Sequence, residues 1–343
     1  MANTFYKKST QWVYNSITTW LAGVKRRSKN RIYLVLLPTT VLLLLVVHYG
    51  TQSQAEHAQF IFLAIWFAAL VYDNRKTENA NFIISTQKKA LEEKTKEILD
   101  SITYAKRLQD AILPPLASIK QLLPESFVLY KPKDIVAGDF YWMEQVGDII
   151  LIAAADCTGH GVPGALVSVV CSNALNRTVK EFHIMESGKI LDKARELILE
   201  TFEKSESNVQ DGMDISLCCI NKKTNEIEWS GAYNSLWYIH SGEIKEVPAD
   251  KQPMGKYDKP FPFKTHSLKA AKGDTLYLFT DGYADQFGGP KGKKFKYKQF
   301  QELLLANSSD TMENQKLQLE KALDAWKGGL EQVDDILVIG IQV

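Results

Sequence analysis

Hydrophobic positions form two long uninterrupted runs near the start of the chain. The first, from Ile32 to Tyr49, contains no Asp, Glu, Lys or Arg. As a helix it would be about 27 Å long, close to the ~30 Å hydrocarbon core of a bilayer. The second run, from Ala58 to Tyr72, also lacks these charges and would be about 22 Å long, so it would need local bilayer thinning or flanking residues. The pattern predicts a membrane hairpin of two transmembrane helices over residues 32–72.

Basic residues flank this hairpin on both sides. Lys25, Arg26 and Arg27 lie in a basic N-terminal segment, residues 1–31, and Arg75 and Lys76 follow the second run, whereas the loop 50–57 has no Lys or Arg. The positive-inside rule therefore predicts a multi-pass protein of the inner (plasma) membrane with the C-terminal part of the chain in the cytoplasm. Residues 12–21 suggest an interfacial helix. The alternative, a cleaved signal peptide and a buried helix, is disfavoured by the long leader and the second run.

Residues 73–115 have the pattern of a helical stalk. No Gly or Pro occurs from Asn74 to Ile112, and apolar residues recur there at intervals of seven, although several intervening core positions are polar. The recurring residues are Ile84, Leu91, Ile98, Ala105 and Ile112. This imperfect heptad leaves two interpretations open: a parallel coiled-coil stalk that makes a homodimer, or a helix lying on its own domain. Pro114-Pro115 ends the helix.

From residue 120 to 343, short apolar runs rich in β-branched residues alternate with amphipathic segments of helical period. This pattern predicts an α+β layered domain. The predicted strands are 127–130, 140–142, 149–155, 215–220, 226–230, 235–240, 275–280 and 336–341. The predicted helices are 164–182, 187–205, 297–305 and 312–326.

Charge and cysteine content exclude several classes of function. Lys+Arg total 41 against Asp+Glu 40, so nothing global indicates nucleic acid, and the local basic run 291–296 is typical of a solvated loop. The four cysteines show no CxxC spacing and no disulfide framework. A reducing compartment fits them, and a metal-thiolate site does not.

Aspartates stand at the ends of four separate apolar strands. They are Asp139, Asp156, Asp281 and the pair Asp334-Asp335, and glycine lies near three of these strand ends. Each could be an ordinary turn or capping residue, but several carboxylates brought within a few ångströms cannot all stay ionised without cations. An all-oxygen site of this kind suits Mg²⁺ or Mn²⁺ rather than zinc. Such ions can activate water for attack at phosphorus.

The order and spacing of these segments resemble the SpoIIE-like branch of the metal-dependent serine/threonine protein phosphatases, the PPM class. The motifs that carry the resemblance are Gly138-Asp139, Asp156-x-x-Gly159-His160-Gly161, Gly212-Met213-Asp214-Ile215, Ser230-Gly231-Ala232-Tyr233-Asn234, Pro253-Met254-Gly255, Thr280-Asp281-Gly282 and Asp334-Asp335-Ile336. The resemblance implies an αββα sandwich with two divalent cations, Mn²⁺ or Mg²⁺, between the sheets. It also implies hydrolysis of phosphoserine or phosphothreonine by an activated water.

Carried over position by position, the resemblance assigns Asp139, Asp156, Asp281 and Asp334 as catalytic metal ligands. The backbone carbonyl of Cys157 would bind one ion, and Asp335 is the less favoured member of its pair. The implied substrate is a phosphorylated regulatory protein such as an anti-sigma-factor antagonist.

Departures from the family pattern, and residues outside its ligand set, also bear on the site. Trp142 stands where a second acid is usual, which could weaken one metal. His160 is a candidate contact to substrate phosphate, with a solvent-facing loop histidine as the alternative. Asp214 and Asn234 are weaker candidates for the site. Asp285 is a candidate ligand for an outer metal. Met213 and Tyr233 are expected in the core. The competing functions are a catalytically silent sensor or scaffold and a two-metal phosphodiesterase.

Overall fold

The computed structural model describes residues 32–203 and 211–343, so the basic segment 1–31 with its suggested interfacial helix lies outside the described residues. The chain divides into two compact units, residues 1–96 and 97–343. Each unit is considered by itself.

The N-terminal unit contains helix α1, Ile32–Tyr49, and most of helix α2, Gln52–Asp110. The connection is shorter than the loop 50–57 expected from sequence, because α2 already begins at Gln52. The tight turn needs Gly50, since a Cβ there would lie 2.6 Å from the Val46 carbonyl oxygen. Thr51 N donates to Gln54 Oε1 at 3.0 Å and satisfies a free backbone donor at the start of α2.

Helix α2 continues unbroken from the second apolar run into the polar stalk, whereas the sequence suggested a boundary between them. By length and composition, α2 is the one helix in the described ranges that is long and apolar enough to cross a membrane, and the described apolar part of α1, Thr39–Tyr49, is shorter. The two-span hairpin therefore stays a prediction. Along the stalk, Ile84, Leu91 and Ile98 are exposed. Only Gln109 of α2 is buried.

The second unit is an α+β sandwich of two antiparallel five-stranded sheets. One sheet has the order β1-β12-β9-β6-β7 and the other the order β2-β3-β4-β5-β8. The strands are β1 Ser126–Lys131, β2 Phe140–Val146, β3 Ile149–Cys157, β4 Met213–Asn221, β5 Glu226–Ala232, β6 Leu236–His240, β7 Glu243–Val247, β8 His266–Lys269, β9 Thr275–Phe279, β10 Phe287–Gly288, β11 Lys293–Lys294 and β12 Ile336–Gln342. The helices of this unit, after the end of α2, are α3 Leu116–Leu122, α4 Gly161–Lys180, α5 Ser187–Glu203, α6 Gly282–Asp285, α7 Tyr297–Ala306 and α8 Met312–Lys327.

Alternation along β3 shows how the layers form. Ile150, Ile152 and Ala154 belong to the core between the two sheets. Leu151 and Ala153 belong to the core beneath α4 and α5. Successive side chains of a strand point to opposite faces, so a strand buried on both faces is apolar throughout. A third core lies between the other sheet and helices α7 and α8, and this completes the αββα order of layers.

The sequence pattern missed four strands: β7 and β8 lie at the edges of the five-stranded sheets, and the short β10 and β11 pair with each other. Strand β7 reads Glu243-Ile244-Lys245-Glu246-Val247 and is mostly exposed. Charged edge strands protect a sheet from further pairing, and for the same reason they lack the apolar signal of the central strands.

Candidate active site

Four carboxylates from four different strand ends line one cavity of about 250 Å³: Asp156, Asp214, Asp281 and Asp334. Asp156 lies in β3 and Asp214 in β4, and antiparallel pairing sets their Cα atoms opposite each other. Asp281 follows β9 directly after Thr280, and Asp334 precedes β12, which pairs with β9. The sequence-predicted convergence of Asp156, Asp281 and Asp334 is therefore present in the fold, and Asp214 joins them.

Asp139 lies behind these acids and is almost fully buried, with 2% of its surface exposed. Its Oδ2 accepts a hydrogen bond of 2.7 Å from Thr280 Oγ1. Tyr130 donates from its hydroxyl to the Asp139 backbone carbonyl at 3.0 Å. Burial, followed by the charge of Asp156, raises the pKa of Asp139 well above its usual range, and the Thr280 hydrogen bond opposes that rise.

Asp156, Asp214 and Asp281 hold their protons more tightly than free aspartates do. Burial, then the charge of Asp281, raises the pKa of Asp214 to about 7. Burial, then Asp334, raises the pKa of Asp281 to about 6. Burial is also the main cause of the raised pKa of Asp156, ahead of the charges of Asp281 and Asp214. The cluster has an excess of negative charge that a cation would neutralise.

In residues 32–203 and 211–343, no group of three or more His, Cys, Asp or Glu side chains is arranged as a formed metal site. The donor set nevertheless fits hard divalent cations, because it consists of carboxylate oxygens around one polar cavity whose lining also includes Cys157. The Cys157 side chain packs in the core beneath α4 and α5, so its thiol is no candidate ligand. The backbone carbonyl oxygen of Cys157 is compatible with the carboxylate oxygens as a further metal ligand.

Asp335 has a different position from its neighbour Asp334. Its Oδ1 accepts from Lys133 N and its Oδ2 accepts from Gly138 N, both at 2.7 Å. Asp335 therefore fixes the backbone of the loop that presents Asp139. The strand-end pattern treats the two adjacent acids alike and the family resemblance favours Asp334, whereas the hydrogen bonds of the folded chain give Asp335 its own role.

Glycines allow this loop to approach the start of α4. A Cβ on Gly138 would lie 2.4 Å from the Gly159 carbonyl oxygen, and one on Gly164 would lie 2.2 Å from the same atom. Real Cβ atoms do not come so close to backbone, so both positions require glycine.

Gln109, in the last turn of α2, contacts the same loop. It donates from Nε2 to the Ala137 carbonyl at 2.6 Å and to Ser168 Oγ at 3.0 Å. Its Oε1 accepts from Ala137 N at 3.1 Å. Sequence reasoning missed the role of Gln109, because a single glutamine in a polar helix does not stand out from its neighbours.

His160 lines the mouth of the acid cavity. Its Nδ1 is 3.0 Å from Asp134 Oδ2, and both side chains are about half exposed (56% and 47%). Asp134, missed in the sequence, fixes the orientation of the ring. The second imidazole nitrogen is then free to act toward a ligand in the cavity.

The remaining candidates divide between core and surface. Trp142 is buried, and its Nε1 donates to Asn176 Oδ1 at 2.9 Å, so it fills the core in place of the usual acid. Met213 is buried as expected, but Tyr233 is 47% exposed, contrary to the core position expected from sequence. Asp285 is paired with Lys294 at 2.6 Å.

Comparison with known proteins matches this geometry to one family. A family model described as Stage II sporulation protein E (SpoIIE) matches residues 147–343. The SiaA-PP2C domain of Pseudomonas aeruginosa is 30% identical, with a TM-score of 0.66, over 73% of this chain and 98% of that domain. No curated protein matches the sequence in direct comparison.

More distant solved structures share the fold. The PP2C phosphatase domain of SpoIIE from Bacillus subtilis, solved with a fragment of its regulatory domain, is 16% identical with a TM-score of 0.52 and covers 64% of this chain and 63% of that one. The RsbU and RsbW domains of Rv1364c from Mycobacterium tuberculosis are 16% identical with a TM-score of 0.51, over 64% of this chain and 60% of that one.

Proposed function

This chain belongs to the SpoIIE family and is a metal-dependent phosphoprotein phosphatase of the PPM class, and from that premise we propose its cellular role. It is a membrane-anchored serine/threonine phosphatase that dephosphorylates a regulatory protein at the cytoplasmic face of the inner membrane. The observation that carries the proposal is the meeting of Asp156, Asp281 and Asp334 around one cavity, with Asp139 behind them.

We assign the ion-binding role to Asp139, Asp156, Asp281, Asp334 and the Cys157 carbonyl. Two divalent cations, Mn²⁺ or Mg²⁺, would supply charge neutralisation and Lewis-acid activation of water at this site. The residues of the chain do the positioning. Asp335 fixes the loop that carries Asp139, and His160, oriented by Asp134, is placed to contact the phosphate or the leaving group.

The N-terminal helices supply the proposed anchor and control. The 32–72 hairpin fixes the enzyme in the bilayer, and the exposed apolar row on the stalk favours a parallel homodimer. The hydrogen bonds of Gln109 to Ala137 support signalling through the stalk, because they tie the end of α2 to the loop next to Asp139. The substrate class, a phosphorylated anti-sigma-factor antagonist or a similar regulator, rests on the family resemblance.

The two competing functions have less support. A silent scaffold has no need to retain all four of the acids assigned to ion binding, and only Trp142 favours it. A phosphodiesterase of nucleic acids requires a basic groove with stacking aromatics. The basic run 291–296 supplies no such groove, since Lys294 is paired with Asp285 and Lys293 is solvent-exposed.

The test uses the full-length protein in detergent with a phosphoserine peptide and MnCl₂. We expect phosphate release that requires the metal and falls at least a hundredfold in Asp156→Asn. The control is Asp148→Asn, which makes the same change in an exposed acid. Asp148 lies on the hairpin between β2 and β3 and is paired with Lys223. If Asp156→Asn released phosphate as fast as Asp148→Asn, the assignment would be wrong.

A further inference from the structure

A second cavity lies beside the acid cluster, between β6, β9 and the start of α7. Its volume is about 440 Å³, and its walls include Tyr233, Trp237, Phe279 and Tyr297, with Asn234 among the polar lining. The rings of Trp237 and Phe279 are tilted at 48° with centroids 4.3 Å apart, and Trp237 meets Tyr297 edge-on at 5.9 Å. The cavity therefore has aromatic walls.

Two donors of this cavity lining have no hydrogen-bond partner. Three buried side-chain nitrogen or oxygen atoms of the described residues are unpartnered, and two of them are Asn234 Nδ2 and Trp237 Nε1. The third, Ser172 Oγ, belongs to helix α4. Trp237 itself is 97% buried, with 3% of its surface exposed. Both donor atoms are closed to solvent, and an unmet buried donor costs about 1–3 kcal/mol; a hydrogen-bond acceptor brought to them from the cavity would remove that cost.

The cavity adjoins the proposed site of phosphate hydrolysis. Phe279 is the last residue of β9 and stands two positions before Asp281. Tyr233 follows Ala232, which pairs with Ile215, the neighbour of Asp214, across β4 and β5. The charges of Asp281 and Asp156 are among the causes, after burial, that raise the pKa of Tyr297. A ligand group in this cavity would lie next to a phosphate in the acid cavity.

The loop between β5 and β6 is built to hold this geometry. Tyr233 has a left-handed backbone, φ 55°, which is rare for a bulky residue and tends to mark functional sites. Its N–H donates to the Asp250 carbonyl at 3.0 Å, and Asp250 N donates to the Gly231 carbonyl at 3.0 Å. These bonds fix the strained turn and leave the Tyr233 ring exposed at the cavity.

The chemistry of the lining fits one kind of group. Two N–H donors suit a carbonyl oxygen, and Glu246 and Gln301 on the lining offer acceptors for an N–H. The aromatic faces suit a flat group. We propose that this cavity binds an amide group of the substrate protein close to its phosphoserine. The inference rests on the proposed phosphatase function and adds a specificity site to it.

The test compares kcat/KM for peptides with kcat/KM for p-nitrophenyl phosphate, which has no amide to place in the cavity. The peptides are a capped all-alanine heptapeptide with a central phosphoserine and a set with Gln replacing one Ala at a time. The enzyme is the full chain in detergent with MnCl₂. The variants are Asn234→Asp, which removes a donor at nearly constant size, and Trp237→Phe, with Asn173→Asp, at an exposed position of helix α4, as the control for charge.

In Asn234→Asp we expect the peptide-to-ester ratio of kcat/KM to fall about tenfold, and in Asn173→Asp to equal the parent ratio. A fall already seen with the all-alanine peptide identifies a main-chain amide, and a fall confined to one Gln position identifies a side-chain carboxamide. Unchanged ratios in both Asn234→Asp and Trp237→Phe, with a parent active on the peptides, would overturn the inference alone. A parent inactive on every phosphopeptide would overturn the proposed function and this site with it.

Discussion

Removal of divalent metal should make the stability of this protein strongly dependent on pH. In the metal-free protein, Asp281 has a pKa of about 6 and Asp214 a pKa of about 7, both above the ordinary 3.8. The folded chain therefore holds protons that the unfolded chain has released between about pH 4 and pH 7. When the folded state binds more protons, stability falls as pH rises.

The magnitude follows from the proton affinities. Each tenfold difference in proton affinity between the folded and the unfolded state is worth about 1.4 kcal/mol of stability. Raising the pH from 5 to 8 therefore removes about 1 kcal/mol through Asp281 and about 3 kcal/mol through Asp214. For a domain of this size, about 4 kcal/mol corresponds to a drop in Tm of roughly 8 to 16 °C. This is the share of these two acids alone, and Asp156, whose pKa is raised to about 8, adds to the loss.

The assay is thermal unfolding of the full chain in detergent at pH 5, 6, 7 and 8, with EDTA or with MnCl₂. In EDTA the Tm should fall across this series, whereas in MnCl₂ it should stay nearly level because the ions neutralise the carboxylates. Asp281→Asn should flatten part of the EDTA slope, and Asp148→Asn should leave the slope as in the parent. A Tm in EDTA that rises or is constant from pH 5 to 8 would refute the reasoning.

Three further predictions concern the contacts around the site and the stalk. Gly164→Ala should lower the free energy of unfolding by at least 2 kcal/mol in urea titrations, since its Cβ would meet the Gly159 carbonyl; an unchanged midpoint would contradict the close approach. Gln109→Ala should raise the Mn²⁺ concentration for half-maximal activity several-fold, because Ala137 loses a buried partner, and an unchanged metal titration would exclude the link. Leu91→Cys and Ile98→Cys should each crosslink to the same site of a second copy, with little background from the native cysteines, which are all buried; monomers only would exclude the parallel stalk.

The central strands and the meeting of the acids could be predicted because both leave a local signal. Strand β3 is a run of apolar residues that ends in Asp156, and its burial on both faces makes it apolar throughout. The proximity of Asp214 to Asp156 leaves no such signal, because it depends on which residues of β3 and β4 pair across the sheet. Register of this kind is set by long-range packing and turns rather than by the local residues.

The contrast between Asp334 and Asp335 shows where the sequence stops being informative about chemistry. Both acids precede the same strand, so a strand-end pattern assigns them equally. Both acids lie outside β12, which begins at Ile336, so strand alternation does not decide which of them faces the cavity, and their contacts do. Asp335 faces the backbone N–H groups of Lys133 and Gly138, and a carboxylate that accepts two such bonds is held in place as an anchor. Asp334 is left with the cavity, and its charge raises the pKa of Asp281. The division of roles within the pair therefore follows from the loop that carries Asp139, a segment almost two hundred residues earlier in the chain.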